Sequence, residues 1–192
     1  MDVFPAFFPL RGARVVIAGE GEMAEAKARL FDGSGAIVAR VAGPAAFERA
    51  AYAGAALAFV AGEDSAFRCA AAAAARAAHV PLNVVDDPAL CDFHTPAVID
   101  RGPVVVAVGT GGASPVLAAV VRDLLEAHTP PGVGALASLL ARRRDEIRAA
   151  FPDIGHRAAF LRAWIAGPSG QQALSGDSRV AEADLAAALG SR

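Results

Sequence analysis

Hydrophobic and polar positions follow two rhythms over the first 85 residues. Residues 14–18 (RVVIA) form a short aliphatic, β-branched run bounded by glycines, which predicts a buried strand. Residues 22–31 carry Ala, Lys, Arg and Leu, all strong helix formers. That run stops at Gly33 and Gly35, so it predicts a helix. Further strands are predicted over residues 36–41, 56–60 (ALAFV) and 82–85. A short helix is predicted over 44–53, and an Ala-rich one over 64–78 with Asp64 or Ser65 as its N-cap. Strands alternating with helices of this length predict an α/β parallel sheet with crossover helices.

After Asp86 the pattern changes. Residues 97–99 and 104–108 read as two strands of a hairpin joined by Asp100-Arg101-Gly102-Pro103. The glycine-rich turn Gly109-Thr110-Gly111-Gly112 follows. Ser114-Pro115 then opens a helix by N-cap chemistry with proline at the first helical position. Its apolar residues Val116, Leu117, Val120, Val121, Leu124 and Leu125 fall on one face. Thr129-Pro130-Pro131-Gly132 breaks the chain, and residues 133–189 are helical in pattern with breaks at 151–155 and 167–170. The wide apolar helix face and the open hairpin edges predict a homodimer built largely from residues after Pro96.

Composition narrows the classes. Of 192 residues, 55% are hydrophobic, but alanine alone supplies about a quarter of the chain; ten Phe, one Trp and one Tyr still furnish a core. Eighteen basic against 20 acidic residues leave a formal charge of −2, which speaks against a nucleic-acid binder. Residues 142–144 (RRR) are followed by Asp145 and Glu146, a pattern of paired, solvated charges. Residues 1–11 carry no signal peptide, and the Ala-rich run 69–80 is too short to span a bilayer. Cys69 and Cys91 form no Cys-x-x-Cys and no metal-ligand spacing with the histidines, so no metal site is expected and the cytoplasm is the expected compartment.

Two stretches carry chemistry. Gly19-Glu20-Gly21-Glu22-Met23-Ala24 is a G-x-G-x-x-A between a predicted strand and a predicted helix, where backbone can approach a pyrophosphate seated on the helix N-terminus. An ordinary strand-to-helix turn needing two glycines is the plain alternative. Glu20 and Glu22 put acidic groups beside the phosphate position. No acidic residue ends the second strand, where Arg40 suits a 2′-phosphate instead. The other stretch is Asn83-Val84-Val85-Asp86-Asp87-Pro88. A carboxylate there, at the carboxyl end of a parallel strand, serves as a general base, a metal ligand or a turn cap. His94 follows in the next loop; His79, His128 and His156 fall at helix ends, and Cys91 reads as a structural thiol.

The stretch NVVDDPALCDF, the proline of HTPA, RGPVVVAVGTGGASPVLA and the earlier GxGxxA-E-x-K-A-R-L together resemble the siroheme synthase amino-terminal module. The resemblance covers most of residues 1–150. It implies a Rossmann-like domain over 1–95, a dimerisation region of hairpin plus helix over 96–130, and a small helical domain over 131–192. It implies NAD-dependent oxidation of precorrin-2 to sirohydrochlorin, with Fe²⁺ as the substrate of a following chelation. It places Asp86 at the catalytic aspartate position, and Gly19, Glu20, Gly21, Glu22, Met23, Ala24, Val41 and Gly62 at the cofactor. Substrate contacts are expected from Asn83, His94, Arg101, Thr110, Gly111, Gly112, Ser114 and Arg122. The chain departs from the family pattern at Glu20, usually glycine, at Ala26, usually arginine, and at Gly62-Glu63-Asp64. Between Val41 and Ala56 it is shorter by about one strand with its loop. That strand would lie at the sheet edge outside the second, leaving the switch point between the first and fourth strands of the family order. The alternatives are a dehydrogenase with a separate chelatase, or a non-catalytic tetrapyrrole or nucleotide module.

Overall fold

The computed structural model describes residues 3–190; residues 1–2 of the expected first domain and 191–192 of the expected last one lie outside the described residues. Two compact units are present. One holds the chain through Thr95 together with Gly111–Ala113; the other holds Pro96–Thr110 and the chain from Ser114 onward.

In the first unit, β1 (Arg14–Gly19), β2 (Ile37–Val41), β3 (Ala55–Ala61) and β4 (Leu82–Val84) form a parallel sheet in the order β2-β1-β3-β4. The aliphatic run of β1 is central because both its faces are covered: Val15, Val16, Ile17 and Ala18 are wholly buried. On one face α1 (Gly21–Arg29) closes a core of Val15, Ile17, Ala24, Phe31, Leu57 and Phe59. On the other lies α3 (Ser65–Ala77), whose Ala71, Ala72, Ala74 and Ala75 are buried against the sheet. The alanine run therefore supplies the small residues facing the sheet. Asp64 is the α3 cap, accepting from the amides of Ala66 (3.1 Å) and Phe67 (3.2 Å).

The chain runs from β1 out to β2, then returns past β1 to β3. The switch point is thus between β1 and β3, with β3 standing where the family order counts its fourth strand. The helix expected over 44–53 is instead a 3₁₀ turn, Gly43–Phe47, and a single α turn, α2 (Arg49–Tyr52). Pro44 starts the first of these and extended backbone at Glu48 ends it. Tyr52 holds the pair together from the core, donating to the carbonyl of Ala46 at 2.7 Å. Burial pushes its phenol up to about 12.

The second unit starts with the antiparallel hairpin of β5 (Ala97–Arg101) and β6 (Val104–Val108), followed by α4 (Pro115–Glu126). Then come α5 (Val133–Arg142), α6 (Arg144–Ala150), α7 (Ile154–Ala166), α8 (Pro168–Ser175) and α9 (Arg179–Gly190). Their core is Leu136, Leu139, Ile147, Trp164, Ala173, Ala181, Leu185 and Leu189. Gly134 seats α5 on the hairpin, since a Cβ there would lie 1.7 Å from the Arg101 carbonyl oxygen. The break expected at 167–170 is narrower than read, because Pro168 opens α8 rather than interrupting it. Further interruptions fall at Arg143 and after Gly176, whose left-handed φ of 116° ends α8.

Candidate functional site

The glycine turn after β1 is built by close backbone approach. At Gly19 (φ 128°) a Cβ would lie 1.8 Å from the carbonyl oxygen of Ala61, so the ends of β1 and β3 meet backbone to backbone. Gly21 (φ 74°) opens α1 into free space. Glu20 is the N-cap but makes no side-chain cap bond, so the amides of the first turn of α1 keep no capping partner from it. They border a cleft of about 450 Å³ lined by residues 19–23, Gly43, residues 61–64 and Phe67.

Of the residues expected at the cofactor, Gly19, Glu20, Gly21, Glu22, Met23 and Gly62 line this cleft. Ala24 and Val41 do not. Ala24 is buried beneath α1, where its small side chain lets helix and sheet approach, and Val41 packs on the α3 face. Gly43, Ala61, Glu63, Asp64 and Phe67 are lining residues the sequence did not single out. Gly43 carried a signal, since Gly-Pro after a strand marks a turn at the sheet edge.

The cleft has an acidic rim. Glu22 is paired with Arg29, and Asp64 is engaged as the α3 cap, while the carboxylates of Glu20 and Glu63 have no partner among the described residues. Arg40, suited in sequence to a 2′-phosphate, instead makes two hydrogen bonds to Glu25 of α1, one of 2.7 Å. That hydrogen bond holds the Glu25 carboxyl below its ordinary range. The glycine turn and uncapped amides fit the pyrophosphate of a dinucleotide; residues 19–23 and Gly62 are the ones to hold it.

Asp86 leaves the same carboxyl edge of the sheet, directly after β4. It is exposed, its side chain has no hydrogen-bond or ion-pair partner among the described residues, and its backbone is left-handed (φ 58°). Aspartate tolerates that conformation better than most residues, at a cost of about 1–2 kcal/mol. Asp87 has a different fate. Its Oδ2 lies 3.8 Å from Nε of Arg68, whose Nη1 donates to the carbonyls of Gly62 (3.0 Å) and Glu63 (2.6 Å). Arg68, which the sequence reading missed, thereby ties the cleft loop to the Asp86 turn. No local motif announces it, because its partners come from two other segments.

Asn83 is 8% exposed and spends its amide on the Phe93 carbonyl at 2.9 Å, so it is a buried framework residue. His94 is exposed, and a Cβ on Gly112 would sit 3.8 Å from its Cε1, which brings Gly112 beside it. In the second unit, Thr110 Oγ1 accepts from the Ser114 amide at 3.2 Å, and Ser114 Oγ caps α4 at the Leu117 amide, also 3.2 Å. Arg101 and Arg122 both converge on Glu126, at 3.0 and 3.9 Å, and Arg122 also meets Asp123 at 2.8 Å. The helix histidines are local: His128 contacts the Leu124 carbonyl, and His156 lies 3.7 Å from Asp153. Arg142 and Arg143 pair with Glu182, and Arg143 also with Glu146. Among the described residues, no three His, Cys, Asp or Glu side chains are grouped to hold a metal ion. No described helix is long and apolar enough to cross a membrane.

Comparison with known proteins finds three matched stretches. An NAD(P)-binding family model matches residues 6–97, a model for the sirohaem biosynthesis protein central region matches 101–128, and one for the sirohaem synthase dimerisation region matches 132–189. Siroheme synthase of Pseudomonas entomophila is 38% identical over 200 residues, covering 95% of this chain and 43% of that protein. That of Methylococcus capsulatus is 40% identical over 200 residues, covering 95% and 42%. The chain thus spans less than half the length of the relatives it matches. These alignments run to 200 residues while using 95% of a 192-residue chain, so the relatives carry residues this chain lacks. A solved SirC, precorrin-2 dehydrogenase, shares the fold with a TM-score of 0.69 at 16% identity, covering 99% of this chain and all of that one.

Proposed function

We propose, from the premise that this chain belongs to the family of siroheme synthase amino-terminal modules, that it oxidises precorrin-2 to sirohydrochlorin with NAD and then inserts Fe²⁺ as a substrate. The observation that carries this reading is an unpartnered carboxylate, Asp86, on the same sheet edge as the Gly19–Gly21 turn. A dinucleotide bound there would supply the hydride acceptor. The chain supplies the rest: the backbone of residues 19–23 and Gly62 orients the dinucleotide, and Asp86 takes the proton lost from the bridging carbon. Two pyrrole N–H protons must leave when Fe²⁺ enters the macrocycle, and the same exposed carboxylate takes them one at a time, releasing each to solvent before accepting the next. His94, Gly111 and Gly112 are proposed to meet the substrate. Asn83, Thr110, Ser114, Arg101 and Arg122 are proposed to support it indirectly, since each makes a side-chain bond within the protein.

The acidic rim and the occupied Arg40 favour NAD over NADP, because an added 2′-phosphate meets repulsion and no free guanidinium. The homodimer is proposed to form through the second unit. There α4 buries Ala118 but presents Val116, Leu117, Val120 and Leu124 outward, each more than half exposed. Free Cys69 and Cys91 suit the reducing cytoplasm. The test is anaerobic incubation of the purified protein with precorrin-2 and either NAD or NADP, followed by sirohydrochlorin with Fe²⁺. NADH formation on adding precorrin-2 is expected. Failure to bind either nucleotide refutes the dehydrogenase and leaves a chelatase or a binding module, which the Fe²⁺ arm separates.

A further inference from the structure

The segment after Asp86 turns back along β4, the free edge of the sheet, and closes it with side chains in place of a fifth strand. The outward amide of Leu82 donates to Asp92 Oδ2 at 3.1 Å, and the Asp92 amide donates to the Leu82 carbonyl at 2.8 Å. One turn further on, the half-buried thiol of Cys91 does both jobs at once. Its Sγ accepts from the Val84 amide at 3.2 Å and lies 3.2 Å from the Val84 carbonyl and 3.4 Å from that of Asp87, either of which can take its proton. Asn83 Nδ2 lies 3.5 Å from the same sulfur and donates to the Phe93 carbonyl. Asp86 is at the apex between these two fastened ends, in a left-handed conformation that carries a cost even for aspartate and that the fastened ends help to hold. Its own carboxylate contributes nothing to that hold, having no partner among the described residues.

We infer that Cys91 and Asn83 are positioning residues for the reaction: their contacts with Val84, Asp87 and Phe93 hold the turn that aims the Asp86 carboxylate. The inference rests on the proposed role of Asp86. The thiol is well placed because a single side-chain atom both accepts and donates, closing Val84 and the Asp87 carbonyl without a further strand. Loss of that atom leaves the turn attached through β4 and Arg68 but free to relax out of the left-handed region. The cofactor cleft is untouched, since neither residue lines it.

The experiment compares the wild-type protein with Cys91→Ala, Cys91→Ser and Asp86→Asn. Precorrin-2 oxidation is measured for kcat and KM, NAD binding by titration, and the Val84 and Asp87 amides by hydrogen exchange. Cys91→Ala is expected to lower kcat at least ten-fold, with NAD affinity within two-fold of wild type and both amides exchanging faster. Cys91→Ser keeps one donor and one acceptor, so it should restore at least half of kcat. A merely structural thiol would lower Tm in Cys91→Ala and leave the kcat of the folded protein unchanged. Wild-type kcat in Cys91→Ala beside an inactive Asp86→Asn overturns this inference alone. Wild-type kcat in Asp86→Asn overturns the parent reading, and this one with it. Should Cys91→Ala fail to fold, Asn83→Ala carries the same expectation.

Discussion

The turn after β1 and the turn after β4 leave the same edge of the sheet, yet different parts of the chain hold them. The first is made of backbone. Gly19 presses against Ala61, Gly21 occupies positive φ, and the first-turn amides of α1 border the cleft with no cap from Glu20. The second is held by side chains: Cys91, Asp92 and Asn83 on one flank, and Arg68 through Asp87 on the other. Backbone amides suit an anion whose position never varies, and their geometry comes with the helix. A carboxylate that must accept a proton needs a residue free of partners, so its neighbours have to do the holding. The difference predicts that substitutions at the first turn act on binding and stability, and those at the second on rate.

The largest effect expected is from Asp86→Asn. Asparagine tolerates the left-handed backbone, so the fold and NAD binding should survive while precorrin-2 oxidation falls by about 10²–10⁴-fold. Steady-state kinetics beside a thermal melt measures both; near-normal turnover would make the carboxylate a turn cap. Next comes Gly19→Ala, which forces a Cβ into the Ala61 carbonyl and should cost about 3 kcal/mol of stability, with NAD binding lost. Denaturant unfolding reads the first and a binding titration the second. Gly21→Ala separates clash from conformation: nothing lies within 4 Å of its Cβ, so only the left-handed cost of about 1–2 kcal/mol remains.

A pH-dependent effect reports on the core beneath the 3₁₀ turn. Tyr52 has its folded pKa raised by burial to about 12, against 10.0 for the free phenol. Its contribution is therefore complete below pH 10 and is lost as pH rises from 10 through about 12. At about 1.4 kcal/mol per unit this amounts to roughly 2–3 kcal/mol. Unfolding followed between pH 9 and pH 12 should show this alkaline limb, and Tyr52→Phe should flatten it. The smallest effect is expected from Glu20→Gly. Removing one unpartnered carboxylate beside a helix N-terminus should tighten NAD by about 0.3–1 kcal/mol at low salt, and by less as salt rises. Unchanged affinity would show that Glu20 does not act on the pyrophosphate.

What the sequence determined by itself was whatever neighbours in the chain decide. The aliphatic run of β1, the glycine turn, the Asp64 and Ser114 caps and the position of Asp86 at a strand end all rest on periodicity or hydrogen bonds within a few residues. The tertiary structure alone decided the partners. Arg40 reads as a free cation in sequence but is held by Glu25, fifteen residues away. Arg101 and Glu126 are twenty-five apart, and Arg68 reaches both the cleft loop and Asp87. Apolar spacing marked a stripe on α4 without saying which side the protein would bury; the hairpin takes the alanine side and leaves the larger residues outward. Left-handed φ at Asp86 has no signature in a residue type that occupies every turn region. Local propensity acts through the backbone at short range, whereas the pairing of a charge or thiol depends on which distant segment the packed sheet and helices bring beside it.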